Sequence, residues 1–262
     1  MQKQQLQFID KHITDWFQHL DGIIPNLIKN MVTETKENRF DLVTNVDKQI
    51  QNDFEAYLEK YFPTHQLLAE EKNNEGIEPY QGHLWIMDPI DGTANLVKQQ
   101  EDYCIILAYL AYFENGQPKL SYIYDYAHKI IYKAIEGKGA FMNNVKLESP
   151  EVLSLKDTIV SFGSEYVNEK LRKALYQSSF SVRYIGACGL DSVRVIKGQF
   201  GAHFNTNPKP WDIAAQFLFA RELGLVMTQM DGQHLDFAKG GPFIISNKGC
   251  YEEILAIIND KH

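Results

Sequence analysis

This chain is poor in the residues on which several classes of protein depend. It has only 3 cysteines among 262 residues, and Cys104, Cys188 and Cys250 show no close ligand spacing. Such scattered cysteines argue against a disulfide framework and predict reduced, mostly buried thiols in a cytoplasmic protein. The histidines are equally scattered, so neither a zinc site nor a Ser/His catalytic triad is indicated.

Positive charge and long apolar runs are also scarce. The net charge of −8 argues against nucleic acid or an anionic membrane as a partner, because both bind a clustered positive surface. The longest apolar run, Cys104 to Phe113, is about half the length of a membrane span and predicts a central strand covered on both faces. The first residues lead into an amphipathic helix and do not resemble a signal peptide.

The remaining composition is that of an ordinary globular protein, with 44% hydrophobic and 12% aromatic residues. Apolar residues from Leu6 to Met31 recur at three- and four-residue steps and predict one long helix, kinked or interrupted near Gly22 and Pro25. Helices and strands interleave along the chain, so the predicted class is α/β in the mixed α+β sense. A polar stretch over 143–158 predicts a boundary between an N-terminal α+β domain (1–147) and a C-terminal α/β domain (148–262).

The segment Asp88-Pro-Ile-Asp-Gly-Thr93 is the most informative in the chain. It follows an apolar run, so two carboxylates are expected at the carboxyl end of a buried strand. Gly92 lets the backbone approach a ligand closely, and Thr93 is predicted to open a helix whose free N–H groups suit a phosphate. Two carboxylates beside an anion site need cations between them, which favours a Mg²⁺ site that receives a phosphate ester.

Other acidic residues acquire meaning only in combination with this segment. Taken singly, Asp47 and Asp212 are acids in the first turn of a helix, where they complement its dipole. Glu70 and Glu71 would ordinarily be a solvated loop pair. These acids nevertheless lie in a series of motifs. In chain order the motifs are D-L-V-T-x-x-D, which ends at Asp47, then A-E-E, D-P-I-D-G-T and P-W-D-x-A-A, which contains Asp212.

Together these motifs resemble the inositol monophosphatase family of Mg²⁺-dependent, lithium-sensitive phosphomonoesterases. The likeness extends over nearly the whole chain, and D-P-I-D-G-T combined with a downstream W-D-x-A is its most specific part. The resemblance implies a layered αβαβα sugar-phosphatase fold, two or three Mg²⁺ ions, a small phosphorylated metabolite as substrate and a homodimer.

The resemblance also implies a role for each matching residue. The metal ligands would be Glu70, Asp88, the carbonyl of Ile90, Asp91 and Asp212. Glu70 and Thr93 would hold the attacking water, with Asp47 bonded to Thr93 as the proton acceptor. Gly92 and Thr93 would bind phosphate through their N–H groups, and the remaining substrate contacts would come from Gly186, Ala187, Cys188 and Asn205.

The substrate contacts depart from the family pattern in two segments of the chain. Relatives carry G-[ST]-A where this chain has Gly186-Ala-Cys188, and an acidic residue where it has Asn205. The reaction class is unaffected, but strict inositol specificity is not implied. Activity on the 2′-phosphate of NADP(H), on 3′-phosphoadenosine nucleotides or on fructose 1,6-bisphosphate is the alternative.

Two other classes of function remain to be distinguished. A haloacid dehalogenase-type phosphatase would use Asp88 as a nucleophile, but its carboxylates lie two positions apart, and here they lie three apart with Pro89 between. Failure to trap an aspartyl-phosphate would exclude it. A cation-gated binding module would bind a phosphorylated ligand without releasing phosphate, and it would have no use for an Asp47/Thr93 proton relay.

Overall fold

The computed structural model describes residues 3–36, 39, 41–111, 116–163 and 169–259. It begins with helix α1 (Lys3–Lys29), which is not interrupted at Gly22 or Pro25. Pro25 lies near the end of the helix, where few intrahelical bonds follow the missing N–H donor. Within the described residues, no helix combines the length and apolar character needed to cross a membrane.

The second helix and a short antiparallel pair complete the N-terminal segment. Strands β1 (Thr33–Thr35) and β2 (Leu42–Thr44) pair with each other, and helix α2 (Asn45–Tyr61) follows at once. Thr44 is the N-cap of α2, and Asp47 closes a reciprocal capping box with it. Asp47 thus lies in the first turn of α2, as its sequence context indicates.

A seven-stranded sheet forms the centre of the molecule. Its strands lie in chain order, with β3 parallel to β4 and every other neighbouring pair antiparallel. Helix α3 (Thr93–Gln99) connects β4 to β5, and Thr93 opens it as predicted. The predicted strand over 103–113 is found at Cys104–Ala111, and residues 112 and 113 lie outside the described residues. The strands are β3 (Gln66–Ala69), β4 (His83–Asp91), β5 (Cys104–Ala111), β6 (Pro118–Asp125), β7 (Ile130–Ile135), β8 (Gly139–Met142) and β9 (Val145–Lys146).

A five-stranded mixed sheet follows, in the order β11-β10-β12-β14-β13. Its first three strands are parallel, so their carboxyl ends meet at one edge. The polar stretch 143–158 connects the two large sheets; the division into two domains remains a prediction. The elements are β10 (Ile159–Gly163), α4 (Glu169–Ser178), β11 (Ser181–Arg183), α5 (Cys188–Ile196), β12 (Ala202–Asn205), α6 (Pro210–Leu223), β13 (Val226–Gln229), β14 (Phe243–Ser246) and α7 (Tyr251–Asn259).

Side-chain alternation along the strands builds five layers. In β4, Trp85 packs against α1 and α2, whereas Ile86 faces the opposite side and packs with α5 and α6. In β14, Ile245 faces the same two helices, whereas Ile244 packs with α4 and α7. The order of layers is therefore helix, sheet, helix, sheet, helix, and the predicted αβαβα architecture is confirmed. Helices α5 and α6, enclosed by both sheets, begin beside the end of β4.

Candidate active site

The end of β4 carries Asp88 and Asp91 within the strand itself. The sequence predicts a strand that stops at residue 88, but β4 continues to Asp91 through a break in its register with β5. Residues three apart on a regular strand face opposite sides, so this bulge is what turns both carboxylates the same way. Pro89 lies inside the bulge, where a missing N–H donor is tolerated. The Ile90 N–H donates to Asp88 Oδ1 at 2.9 Å and fixes that carboxylate.

Asp91 connects β4 to the start of α5. Its two oxygens accept from the backbone N–H groups of Cys188 at 2.9 Å and Gly189 at 2.7 Å. The Cys104 thiol donates a weaker bond at 3.3 Å. A Cβ on Gly189 would lie 2.7 Å from the Cys104 sulfur and 3.1 Å from Asp91 Oδ2, so this close approach requires glycine.

Asp212 reaches the same place from α6. It lies in the first turn of that helix, where the Lys209 N–H donates to its Oδ2 at 2.6 Å. Within the described part of the chain, Asp88, Asp91 and Asp212 offer oxygens that all lie within 4.8 Å of one another. Two elements distant in sequence thus supply one three-carboxylate group.

Asp47 and Thr93 form the predicted pair. The Thr93 hydroxyl lies 2.9 Å from Asp47 Oδ1 and 3.0 Å from the carbonyl oxygen of Ile90. The other oxygen of Asp47 accepts from the Thr44 N–H at 2.9 Å and from the Thr44 hydroxyl. Asp47 is 1% exposed, so these contacts hold its carboxylate in one orientation. Asp47 is therefore both a member of the capping box of α2 and the candidate proton acceptor.

Glu70 lies beside the three-carboxylate group but is paired with a cation of this chain. Lys36 Nζ contacts Glu70 Oε1 at 2.8 Å and also bonds Glu71. Glu71 is fixed further because its N–H donates to Gln51 Oε1 at 2.8 Å. Burial lowers the pKa of Lys36, but the charge of Glu70 and the bonds to both glutamates outweigh burial and raise it above its usual value. Lys36 is therefore a permanent charge at the edge of the site.

The site concentrates negative charge away from water. Burial, followed by the charges of Glu70, Asp91 and Asp212, raises the pKa of Asp88 well above its usual value. Burial and the charge of Asp91 raise the pKa of Asp212 to about 8. Burial also raises the pKa of Glu70 to about 7, although Lys36 opposes the shift. Carboxylates in this state bind either protons or a cation.

The donor set fits a hard divalent cation. Each candidate ligand is a carboxylate or carbonyl oxygen, the type that Mg²⁺ and Ca²⁺ prefer. Two thiols lie close by, but burial raises the pKa of Cys104 and of Cys188 well above the usual value. Both thiols are therefore protonated in the metal-free protein, and the carboxylate and carbonyl oxygens carry the negative charge of the site. All three cysteines are free and buried, as predicted.

A cavity of 130 Å³ adjoins the carboxylates, and the predicted substrate residues meet there. Gly186, Ala187, Cys188 and Asn205 line it together with Asp91 and Asp212. Asn205 Oδ1 accepts from the Asn207 N–H at 3.1 Å, and among the residues that the structure describes its amide nitrogen bonds no acceptor and is the group available to a ligand. A larger groove of 680 Å³ between α2 and residues 72–77 shares no lining residue with this cavity.

The structure adds residues that sequence reasoning missed. Gly163, Tyr184 and Asp191 also line the 130 Å³ cavity. Asp191 reads in sequence as an ordinary first-turn acid of α5, and nothing local distinguishes it. The fully buried His203 is bonded to Ser161 Oγ at 3.0 Å, in keeping with its interpretation as a structural histidine.

Comparison with known families matches residues 10–262 to the inositol monophosphatase family. The chain belongs to this family. A relative from Bacillus subtilis strain 168, described as an inositol-1-monophosphatase, is 31% identical over 94% of each chain. The prediction of the family from the sequence motifs is confirmed, and with it the prediction of a phosphoric monoester hydrolase.

Solved structures are similar over the full architecture. A staphylococcal inositol monophosphatase-1 soaked in lithium chloride, an inhibitory complex, is 62% identical, covers 98% of this chain and 96% of its own, and has a TM-score of 0.95. An IMPase/NADP phosphatase with NADP and Ca²⁺ is 62% identical over 98% and 97% of the chains, with a TM-score of 0.95. The IMPase/NADP phosphatase with Mg²⁺ and phosphate is 62% identical over 98% and 97%, with a TM-score of 0.94.

Proposed function

We propose that this chain is a Mg²⁺-dependent phosphatase that releases phosphate from inositol monophosphate or a related small phosphorylated metabolite. The observation that supports it best is the convergence of Asp88, Asp91 and Asp212 within 4.8 Å in a buried cleft. Charge of one sign is costly there unless a divalent cation offsets it. Two or three ions would be held by Asp88, the Ile90 carbonyl, Asp91 and Asp212. Glu70 would also bind them, through the oxygen that does not contact Lys36.

Bound Mg²⁺ supplies Lewis-acid activation of water and neutralises charge on the phosphate. The residues of this chain position the other reactants. The Thr93 hydroxyl donates a hydrogen bond to Asp47 at 2.9 Å. As Asp47 takes up the hydroxyl proton, the Thr93 oxygen can accept a proton from an attacking water. Because the Thr44 N–H donates to the second oxygen of Asp47, the first oxygen is held towards the Thr93 hydroxyl. Glu70 would hold the same water from the side opposite Thr93.

Phosphate would bind at the start of α3. Gly92 adopts φ 88° ahead of the helix, and the first helical N–H that bonds within the helix is that of Asn95, to the Gly92 carbonyl at 2.8 Å. The N–H groups of Thr93 and Ala94, in the first turn, are the ones left for an anion. Free N–H groups at the start of a helix donate hydrogen bonds to anions such as phosphate, and the helix dipole favours the negative charge. The organic part of the substrate would then extend into the 130 Å³ cavity, past Ala187 and Cys188 towards Asn205.

A phosphate-release assay tests the proposal directly. Inositol 1-phosphate, fructose 1,6-bisphosphate, NADP⁺ and 3′-phosphoadenosine 5′-phosphate are each incubated with and without Mg²⁺, and then with Li⁺. We expect Mg²⁺-dependent release that Li⁺ suppresses. Asp88→Asn should abolish it, whereas Asp157→Asn, an exposed acid far along the chain, should not. Saturable ligand binding without release of phosphate by the wild type would instead favour the binding module.

NADP⁺ is the second candidate substrate, and two observations support it. The chain is 62% identical to an IMPase/NADP phosphatase that was crystallised with NADP. In addition, Asn205 presents an amide nitrogen, a donor that suits the oxygens of a nucleotide phosphate better than a carboxylate would. NADP⁺ hydrolysis at a kcat/KM comparable to that of inositol 1-phosphate would establish dual specificity.

The expected setting of the enzyme is also a proposal. By likeness to its family we expect a homodimer in the cytoplasm, acting on small metabolites without a nucleic-acid or membrane partner. The net charge of −8 supports the last point. Light scattering of the purified protein would test the dimer.

A further inference from the structure

Tyr184 is an exposed aromatic side chain at the edge of the candidate active site. It directly follows strand β11 and lines the 130 Å³ cavity, yet it is 62% exposed. Among the described residues that line this cavity, it alone is aromatic. An aromatic ring that is open to solvent beside a polar cavity is a surface on which a flat ligand group can stack.

The cavity lies where three parallel strands end. Strands β11, β10 and β12 are neighbours in that order, and their carboxyl ends lead to Tyr184, Gly163 and Asn205. Neighbouring strands lie about 4.8 Å apart, so the two outer chains are about 10 Å apart at this edge. Gly163 adds no side chain between them, and a Cβ there would lie 2.9 Å from Asn205 Nδ2. Tyr184 and Asn205 therefore border the cavity from opposite sides.

Gly186 leaves the ring of Tyr184 open towards the cavity. A Cβ on Gly186 would lie 3.6 Å from Tyr184 Cε1, so any side chain at this position would contact the ring. Gly186 also has φ +87°, a conformation that residues with a side chain rarely adopt. No side chain at position 186 therefore separates the ring from the cavity.

The cavity is too small for a whole nucleotide. Its 130 Å³ is the space that about four water molecules occupy in the liquid, whereas sites that enclose a drug-sized ligand measure roughly 300–1,000 Å³. With the phosphate beside the carboxylates, one sugar ring occupies this space. A base attached to that sugar must then lie at the rim, beside Tyr184.

We propose that the ring of Tyr184 stacks on the base of a nucleotide substrate whose phosphorylated ribose lies in the cavity. This inference rests on the proposed phosphatase function and adds a specificity-determining residue to it. The substrate class is a 2′- or 3′-phosphate monoester of a nucleoside, in which the ester and the base are attached to the same ribose. Stacking accepts any base, because each base has a π face. An inositol phosphate has no base and gains nothing from this contact.

Tyr184→Ala and Tyr184→Phe test the proposal, because only the second variant keeps an aromatic ring. Initial rates in saturating Mg²⁺ give kcat/KM for adenosine 2′-monophosphate and for inositol 1-phosphate, and the readout is the ratio of the two values. We expect Tyr184→Ala to lower this ratio about 5- to 100-fold, mainly through the KM of the nucleotide, because a contact remote from the phosphorus is lost. Tyr184→Phe should keep the ratio within about twofold of the wild-type value.

Phe180→Ala is the matched control. Phe180 is 76% exposed and precedes β11, whereas Tyr184 follows it, and Phe180 does not line the cavity. Its substitution should leave the ratio unchanged. An unchanged ratio in Tyr184→Ala would overturn the proposal, and so would an equal fall in Tyr184→Phe, which would assign the effect to the hydroxyl group.

The wild type separates this proposal from the proposed function. Release of phosphate from inositol 1-phosphate but not from adenosine 2′-monophosphate would overturn the stacking contact and leave the phosphatase function intact. No release from either compound would refute the phosphatase function. Calorimetric titration with adenosine 2′-monophosphate in Mg²⁺ would then decide the ring contact: weaker binding by Tyr184→Ala than by Tyr184→Phe would support it, and equal binding would refute it.

Discussion

Raising the pH of the metal-free protein should destabilise it, and Mg²⁺ should remove that effect. Burial and the charge of Asp91 raise the pKa of Asp212 from 3.8 to about 8 in the folded state. Between these two values the folded chain binds a proton that the unfolded chain has released. The free energy of unfolding therefore falls as the pH rises through this window, and the stabilisation by the proton is complete only below the unfolded pKa.

The size of the effect follows from the shift. Each pH unit in the window corresponds to about 1.4 kcal/mol, so the step from about pH 5 to about pH 8 amounts to at most about 4 kcal/mol for Asp212 alone. Asp212 is only partly buried, and contact with water weakens the electrostatic effect on its carboxyl group, so the actual loss of stability is smaller than this maximum. A loss of about 2–4 kcal/mol is expected, which for a chain of this length lowers Tm by roughly 4–7 °C.

Thermal unfolding in EDTA and in saturating Mg²⁺, across the same pH range, measures the effect. In Mg²⁺ the carboxylates stay ionised and bound, so the slope with pH should be much shallower and Tm higher throughout. Asp212→Asn should make the EDTA curve shallower, because Asp88 and Glu70 also bind protons more tightly in the folded state, whereas the exposed Asp157→Asn should keep the wild-type slope. A metal-free Tm that is constant or rises over this range would refute the electrostatic reasoning.

Three further substitutions have defined outcomes. Thr93→Val removes the hydroxyl but keeps the shape, so kcat should fall about 10²- to 10⁴-fold while Thr93→Ser keeps most activity; equal rates would exclude the relay. Asn205→Asp places a charge in the cavity and should raise KM for NADP⁺ about 5- to 10-fold relative to inositol 1-phosphate, as initial-rate assays would show. Gly92→Ala meets φ +88° and a contact at 3.0 Å with Ala187 Cβ, so it should lower Tm more than Gly76→Ala, which has a similar φ and no contact within 4 Å.

The parts of the fold that could be predicted depend on local patterns. Strand and helix bounds beyond residue 158 follow apolar periodicity and caps such as Gly224, which ends α6. The ligand set could be proposed because Asp88 and Asp91 occur in one short motif at a strand end. Motifs, caps and apolar periodicity can be recognised from one sequence because each depends on residues that are close together in the chain.

The rest could not be predicted, because it depends on contacts between distant segments. Lys36 lies 34 residues before Glu70, and no spacing indicates that they pair. The bulge in β4 depends on its register with β5, a contact between separate strands that no local pattern indicates. Asp191 lines the 130 Å³ cavity only because α5 packs beside the end of β4. Sequence motifs named the hydrolytic groups, but packing was needed to identify what surrounds them.

The way α5 holds Asp91 has a consequence for how such an enzyme can change over evolution. Asp91 is held by main-chain N–H groups of Cys188 and Gly189, and a main-chain donor is present whatever the side chain. Substitutions at positions 187 and 188 that fit the buried space there can therefore reshape the cavity without removing the bonds to Asp91. Gly189 lacks this freedom because a Cβ would collide with Cys104. New substrates can thus be acquired along this loop while the hydrolytic groups stay in place.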